Sequence, residues 1–148
     1  AVRVEAYDVA HTSGTETVAV MTVVNSGEPE KESYRKFNIR TAKNDDVGSL
    51  KEILSRRLAH NEWPLPQVFV VDGGAAQLRA ATKILKDAGV VIPVVAVVKN
   101  DFHKPERMMG DAKAIEIFGK EILLANHEAH RFAISYPRAR RHKRALLR

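Results

Sequence analysis

Apolar residues along this chain follow two different periods. Residues 3–8 (RVEAYD) and 17–24 (TVAVMTVV) are apolar or β-branched runs separated by the turn-forming stretch TSGTE, which predicts two antiparallel strands. A third strand is predicted at about 33–39 (SYRKFNI), after the polar turn NSGEPEKE. The period then changes. After Asn44-Asp45-Asp46, Val47, Leu50, Ile53, Leu54 and Leu58 recur at helical spacing until NEWPLP ends the pattern.

Residues 67–72 (QVFVVD) form a continuous apolar run of the buried-strand kind, closed by Gly73-Gly74. Leu78, Ala81, Leu85 and Ala88 then share one helical face. Another buried strand is predicted between Val90 and Val98, after Pro93, with Lys99 at its end. Residues 100–113 are polar, contain Gly and Pro, and are expected to form a loop. AIEIF and EILLA around Gly119-Lys120 suggest a short hairpin, although EILLA can equally open the last helix. Ala129, Phe132, Ala133 and Tyr136 define the apolar face of a C-terminal helix expected over about 126–148, with Pro137 kinking or interrupting it.

The expected order is β-β-β-α-β-α-β, a hairpin and a final α. Three antiparallel strands feeding parallel βαβ units is the layout of an RNase H-like α/β fold, a mixed central sheet flanked by helices. A doubly wound fold with an antiparallel edge is the nearest competitor.

Composition narrows the field. A chain of 148 residues with 45% hydrophobic content fits one domain with a real core. It has no cysteine, which excludes disulfides and thiolate zinc sites and points to a reducing, cytoplasmic setting. No apolar run approaches the roughly 20 residues a membrane span needs. The formal charge of +6 is unevenly placed. Seven of the 24 Lys and Arg (Arg131, Arg138, Arg140, Arg141, Lys143, Arg144 and Arg148), and none of the 18 Asp and Glu, lie between 131 and 148. Such a run reads as a phosphate-backbone contact or as a solvated helix end.

Asp8 and Asp72 place carboxylates where strands usually carry Val or Ile. On neighbouring strands they can share Mg²⁺ or Mn²⁺, hard cations that prefer oxygen ligands. The ordinary alternatives are a strand-end surface acid for Asp8 and a helix cap for Asp72. Gly73-Gly74 is either a plain strand-to-helix turn or a phosphate cradle. His130 can bind metal, orient water or protonate a leaving oxygen, or be a partly buried histidine. His127 lies three residues before it, a spacing open to zinc but without further obvious ligands. Asp45 and Asp46 read as helix-start acids or as a supporting metal ligand. Lys99 reads as a phosphate contact or a solvated lysine, and His11 and Thr12 as site-shaping or turn residues.

Four segments add to this reading: YDVAHTSG around Asp8, YRKFNI with the NDD cluster, VFVVDGGAAQL around Asp72 and HEAHRFAISYPR around His130. In this order they resemble the C-terminal endonuclease domain of the UvrC family, the nuclease component of excinuclease ABC. The resemblance implies an RNase H-like fold and a divalent-metal nuclease, using Mg²⁺ or Mn²⁺, that incises damaged double-stranded DNA 5′ to a lesion in nucleotide excision repair. Its catalytic set falls on Asp8, Asp72 and His130, and a further acidic position falls on the Asp45-Asp46 pair, with Asp46 the better match.

The sequence departs from the family at His127, where the family usually has Asp, and at Pro137, where it often has His. The family's N-terminal nuclease, the segment expected to contact its helicase partner UvrB, and the helix-hairpin-helix repeats have no counterpart here, so a fragment of a longer multidomain protein is expected. The competing functions are a non-catalytic nucleic-acid-binding module and a phosphate- or nucleotide-handling α/β enzyme built on Asp72-Gly73-Gly74.

Overall fold

The computed structural model describes residues 2–11, 16–41, 44–102 and 104–135. Its long hairpin is β1 (Arg3–His11) and β2 (Thr17–Asn25), paired antiparallel from Arg3↔Asn25 to His11↔Thr17. Two short strands both pair with β2: β3 (Glu28–Pro29) near its end, and β4 (Arg35–Asn38) along its first half. A 3₁₀ turn at Lys31–Ser33 separates them. The helix α1 (Asp46–Leu58) then crosses to β5 (Val68–Asp72), which pairs parallel to β1. After α2 (Ala75–Asp87), β6 (Val94–Lys99) pairs parallel to β5, β7 (Pro105–Gly110) pairs antiparallel to β6, and α3 (Ala112–Ile134) closes the order.

These strands make one seven-stranded sheet in the order β3-β2-β1-β5-β6-β7, with β4 also on β2. Because successive strand residues point to opposite faces, the sheet carries two cores. Tyr7, Met21, Phe69 and Val71 pack with Leu50, Ile53 and Leu54 of α1 and with Ala81 and Leu85 of α2. Val4, Ala6, Val68, Val70, Val95 and Val97 pack with Ile122, Ala125, Ala129 and Ala133 of α3. The sheet therefore lies between α1 and α2 on one side and α3 on the other.

Three expectations need correction. AIEIF and EILLA do not form a hairpin, because both belong to α3, which begins at Ala112 rather than near 126. Asp111 starts this helix by accepting from the Ala114 amide at 2.8 Å. The buried Ala114, Ile122, Ala125, Ala129 and Ala133 recur at helical spacing beneath the sheet. The alternating look of AIEIF ends at Phe118, whose φ of −114° and ψ of 19° kink the helix just before Gly119.

Residues 100–113 are not simply a loop, since 105–110 form β7. Pro105 and the polar residues around it hid this strand, yet a strand at the edge of a sheet tolerates both. Gly110 is required there. Its φ is 121°, and an added Cβ would meet the Val94 carbonyl at 2.4 Å. Third, the polar turn before β4 contains β3 and the 3₁₀ turn. Tyr136 and Pro137 lie outside the described residues.

The approach to α1 is fixed by Glu52, whose carboxylate accepts from the Arg40 and Thr41 amides at 2.9 and 3.0 Å. Burial works against its charge, but hydrogen bonds from Thr41, Arg40 and Arg56 outweigh it and hold its pKa at about 2. Among the described residues no helix is long and apolar enough to cross a membrane.

Candidate active site

Strand register places Asp8 beside Asp72. The parallel ladder between β1 and β5 runs from Val4↔Val68 to Tyr7↔Val71, so the next residue of each strand is an aspartate. Side-chain parity then decides which face they share. Val4 and Ala6 of β1, and Val68 and Val70 of β5, point towards α3. Asp8 and Asp72, an even number of residues further on, point the same way. On β6, Asp72 pairs with Val97, which also faces α3, and Lys99 lies two residues beyond it.

The side chains complete this arrangement. The Lys99 ammonium bonds Asp72 Oδ1, and the buried Asn126 of α3 donates from Nδ2 to the same oxygen at 3.1 Å. His130, one helical turn after Asn126, has Nδ1 at 3.4 Å from Asp8 Oδ2. Asp8 Oδ1 accepts from the Val9 amide at 2.8 Å. Asp8 is only 8% exposed. Its burial raises the carboxyl above its usual range, the Asp72 charge raises it further, and His130 and Lys99 oppose the shift. Two acids side by side, one of them buried, favour a positive charge beside them, and Lys99 supplies one.

Asp72 does not cap α2. The cap position is Gly74, whose amide donates to Gln77 Oε1 at 3.0 Å. The Gly73 amide donates to the Val97 carbonyl at 3.1 Å. With a φ of 130°, and with Gln77 atoms within 2.6 to 2.8 Å of any Cβ, Gly73 must be glycine. The Gly73 and Gly74 amides are thus already engaged within the protein.

Asp46 is not brought to this site. Asp45 caps α1 by accepting from the Gly48 amide at 3.1 Å, while Asp46 meets His11 Nε2 at 2.5 Å. His11 has the parity of Tyr7 and Val9, which pack on the α1 side of the sheet. The His11–Asp46 pair therefore lies across β1 from Asp8 and His130. His127 is exposed, and among the described residues no three His, Cys, Asp or Glu side chains are spaced to hold a metal by themselves.

Arg131 makes a two-point contact with Glu128 at 2.8 and 2.9 Å, and Tyr34 donates to the same carboxylate at 2.6 Å. Arg131 chiefly, with Tyr34, brings the Glu128 pKa down to about 2. This cluster fastens α3, and with it His130, to the segment before β4. Arg138, Arg140, Arg141, Lys143, Arg144 and Thr12 lie outside the described residues.

Sequence reasoning missed Asn126. The available signal is its spacing of four residues from His130 on the helix expected from about 126, which puts both on one helical face; that this face covers Asp72 is visible only in the fold.

A β1–β2 hairpin joined to parallel β5 and β6, with paired acids at the ends of two adjacent parallel strands and α3 across them, defines the RNase H-like class. Within it, a family model described as the UvrC RNase H endonuclease domain matches residues 1–134. The chain belongs to that family.

Relatives include the UvrABC system protein C of Lachnospira eligens, 38% identical over 159 residues and matched by 95% of this chain. That of Bdellovibrio bacteriovorus is 39% identical over 163 residues and matched by 97% of this chain. The chain spans 26% of the length of each. Among solved structures, the Endonuclease V of Ciona intestinalis, in complex with inosine-containing DNA, matches 80% of this chain and 54% of its own, with TM-score 0.47 and 16% identity.

Proposed function

We propose that this chain is a divalent-metal-dependent endodeoxyribonuclease domain that cuts damaged double-stranded DNA on the 5′ side of a lesion during nucleotide excision repair in the cytoplasm. The observation that carries this reading is the convergence of Asp8, Asp72, Lys99 and His130 on one face at the ends of β1, β5 and β6 and on α3.

The donor set fits a hard cation. Two carboxylates without thiolates suit Mg²⁺ or Mn²⁺, which retain water and accept phosphate oxygens to complete their coordination. Asp8 and Asp72 would hold the ion. When bound, it lowers the pKa of an attacking water and stabilises the leaving oxygen.

Asp8 fixes the His130 ring through Nδ1, so the imidazole is positioned either to complete the coordination or to transfer a proton at the reacting phosphate. Lys99 neutralises Asp72 and can turn to a phosphate oxygen once a cation takes that role. Arg138, Arg140, Arg141, Lys143 and Arg144 supply sequence-independent backbone contacts. Arg131 is committed to Glu128 and contributes less to the DNA. Asp46 supports the β1 end through His11 rather than by holding metal. UvrB, the helicase component of excinuclease ABC, would engage parts of a longer protein outside this chain.

The test uses the full-length protein with the other components of the excinuclease on a duplex carrying one lesion, labelled so that both cut sites are resolved. A 5′ cut is expected in Mg²⁺ or Mn²⁺ and none in excess chelator. A 5′ cut that persists in chelator contradicts metal dependence. Salt-sensitive DNA binding with no 5′ cut under any metal favours the non-catalytic module.

A further inference from the structure

Asn126 is 1% exposed, on a helix face otherwise lined by Ile122, Ala125 and Ala129. A primary amide in such surroundings is costly unless its hydrogen bonds are made. Its Nδ2 is directed at Asp72 Oδ1, the oxygen that also receives Lys99. All the hydrogen bonds to Asp72 among the described residues therefore end on one carboxylate oxygen, and Oδ2 is left for a ligand.

One helical turn further on, His130 meets Asp8. Residues four apart on a helix stand about 5–6 Å apart at Cβ, so α3 presents one polar group to each acid. The helix is itself anchored on both sides of this pair. Thr22 Oγ1 donates to the Ala125 carbonyl at 2.9 Å, and Tyr34 holds Glu128.

We propose that Asn126 is a positioning residue, which clamps Oδ1 of Asp72 so that Oδ2 faces the divalent cation, with α3 setting the spacing of the two metal-binding acids. This rests on the metal-nuclease reading above. Lys99 and Asn126 hold the same oxygen but differ in kind. The ammonium cancels the charge of Asp72 and competes with an incoming cation. The neutral amide orients the carboxylate without cancelling its charge, and so remains compatible with the metal-bound site. Groups that orient metal-binding side chains in this way commonly change affinity about 10- to 100-fold when removed.

The experiment uses full-length protein with Asn126→Leu, which keeps the branched shape and removes the donor, and Asn126→Ala, which suits a helix. Mn²⁺ affinity is read by EPR titration of metal-free protein, beside thermal melting and steady-state kinetics of cleavage on the 5′ side. Asp72→Asn is run in parallel. The expected result is a Mn²⁺ affinity about ten-fold weaker in both Asn126 variants. The kcat at limiting metal should fall, KM for DNA should be unchanged, and activity should partly recover at high Mn²⁺.

If Asn126 only fills space, melting shifts while Mn²⁺ affinity stays at the wild-type value, and the proposal is overturned. If Asp72→Asn loses Mn²⁺ binding and the Asn126 variants do not, the Asn126 role alone fails. If Asp72→Asn also binds Mn²⁺ as wild type does, the metal-site reading fails and takes this inference with it.

Discussion

Asp72→Asn in the full-length protein is expected to lower 5′ incision on the order of 10³-fold, with little change in DNA affinity. On the proposed reading Asp72 would hold the metal, and losing such a carboxylate forfeits several kcal/mol of transition-state stabilisation, each 1.36 kcal/mol being a factor of ten in rate. The substitution keeps the shape that Asn126 and Lys99 contact, and the Asp72 side chain is 27% exposed, so the fold should tolerate it. Asp8→Asn should cost incision a similar factor for the same reason.

Its effect on stability should differ. Burial raises the Asp8 pKa above the ordinary 3.8, so ionising it opposes folding. That cost is absent below the unfolded-state pKa and complete once pH passes the raised folded value. At neutral pH without metal, Asp8→Asn should melt no lower than the wild type. Retention of 5′ incision in purified Asp72→Asn, measured by single-turnover cleavage, would contradict the assignment.

Arg57→Met carries the largest expected loss of stability, at the centre of the fold. Glu5 is fully buried on β1, and its carboxylate accepts from Arg57 Nε and Nη2 at 2.7 and 2.8 Å and from Arg3 Nε at 2.9 Å. Tyr7 donates to the same group, and its phenol is pushed well up, first by burial and then by the Glu5 charge. Arg57 Nη2 also donates to the Pro64 carbonyl at 2.7 Å, which pins the segment between α1 and β5.

Removing Arg57 takes away two of the bonds to the buried Glu5 charge and leaves it with Arg3 and Tyr7; breaking a buried pair costs roughly 3–5 kcal/mol. For a domain of this size that lowers Tm by roughly 10 °C or more. Arg57→Met with Glu5→Leu should recover part of this loss, because a buried pair is often replaceable by apolar side chains. Equal destabilisation of single and double variants in chemical denaturation would show that the charge left behind is not the cause.

Apolar periodicity made the sheet and the first two helices legible because β2, β5 and β6 are buried on both faces and read as nearly continuous apolar runs, while β1 alternates apolar residues with Arg3, Glu5 and Asp8. Chain order alone could not state register. Only the pairing of Tyr7 with Val71 shows that Asp8 and Asp72 are neighbours on one face. The same parity separates Asp46 from them, although the family resemblance places a further acidic position on the Asp45-Asp46 pair.

β7 was hidden because an edge strand carrying Pro105 and Arg107 has loop-like composition. The start of α3 was hidden because Ile115, Glu116 and Ile117 alternate over a stretch too short to separate strand from helix. Asn126 and His130 both fall on the helix expected from about 126, but periodicity does not show which strand ends that helix covers, and so hides the contact of Asn126 with Asp72.

The most direct test of the central claim is a crystal of this domain grown with Mn²⁺, measured at a wavelength where manganese scatters anomalously. An anomalous peak coordinated by both Asp8 and Asp72, absent from Asp72→Asn crystals grown in the same way, is the predicted result. A manganese peak that avoids these two carboxylates, or that survives the Asp72 substitution unchanged, would contradict it.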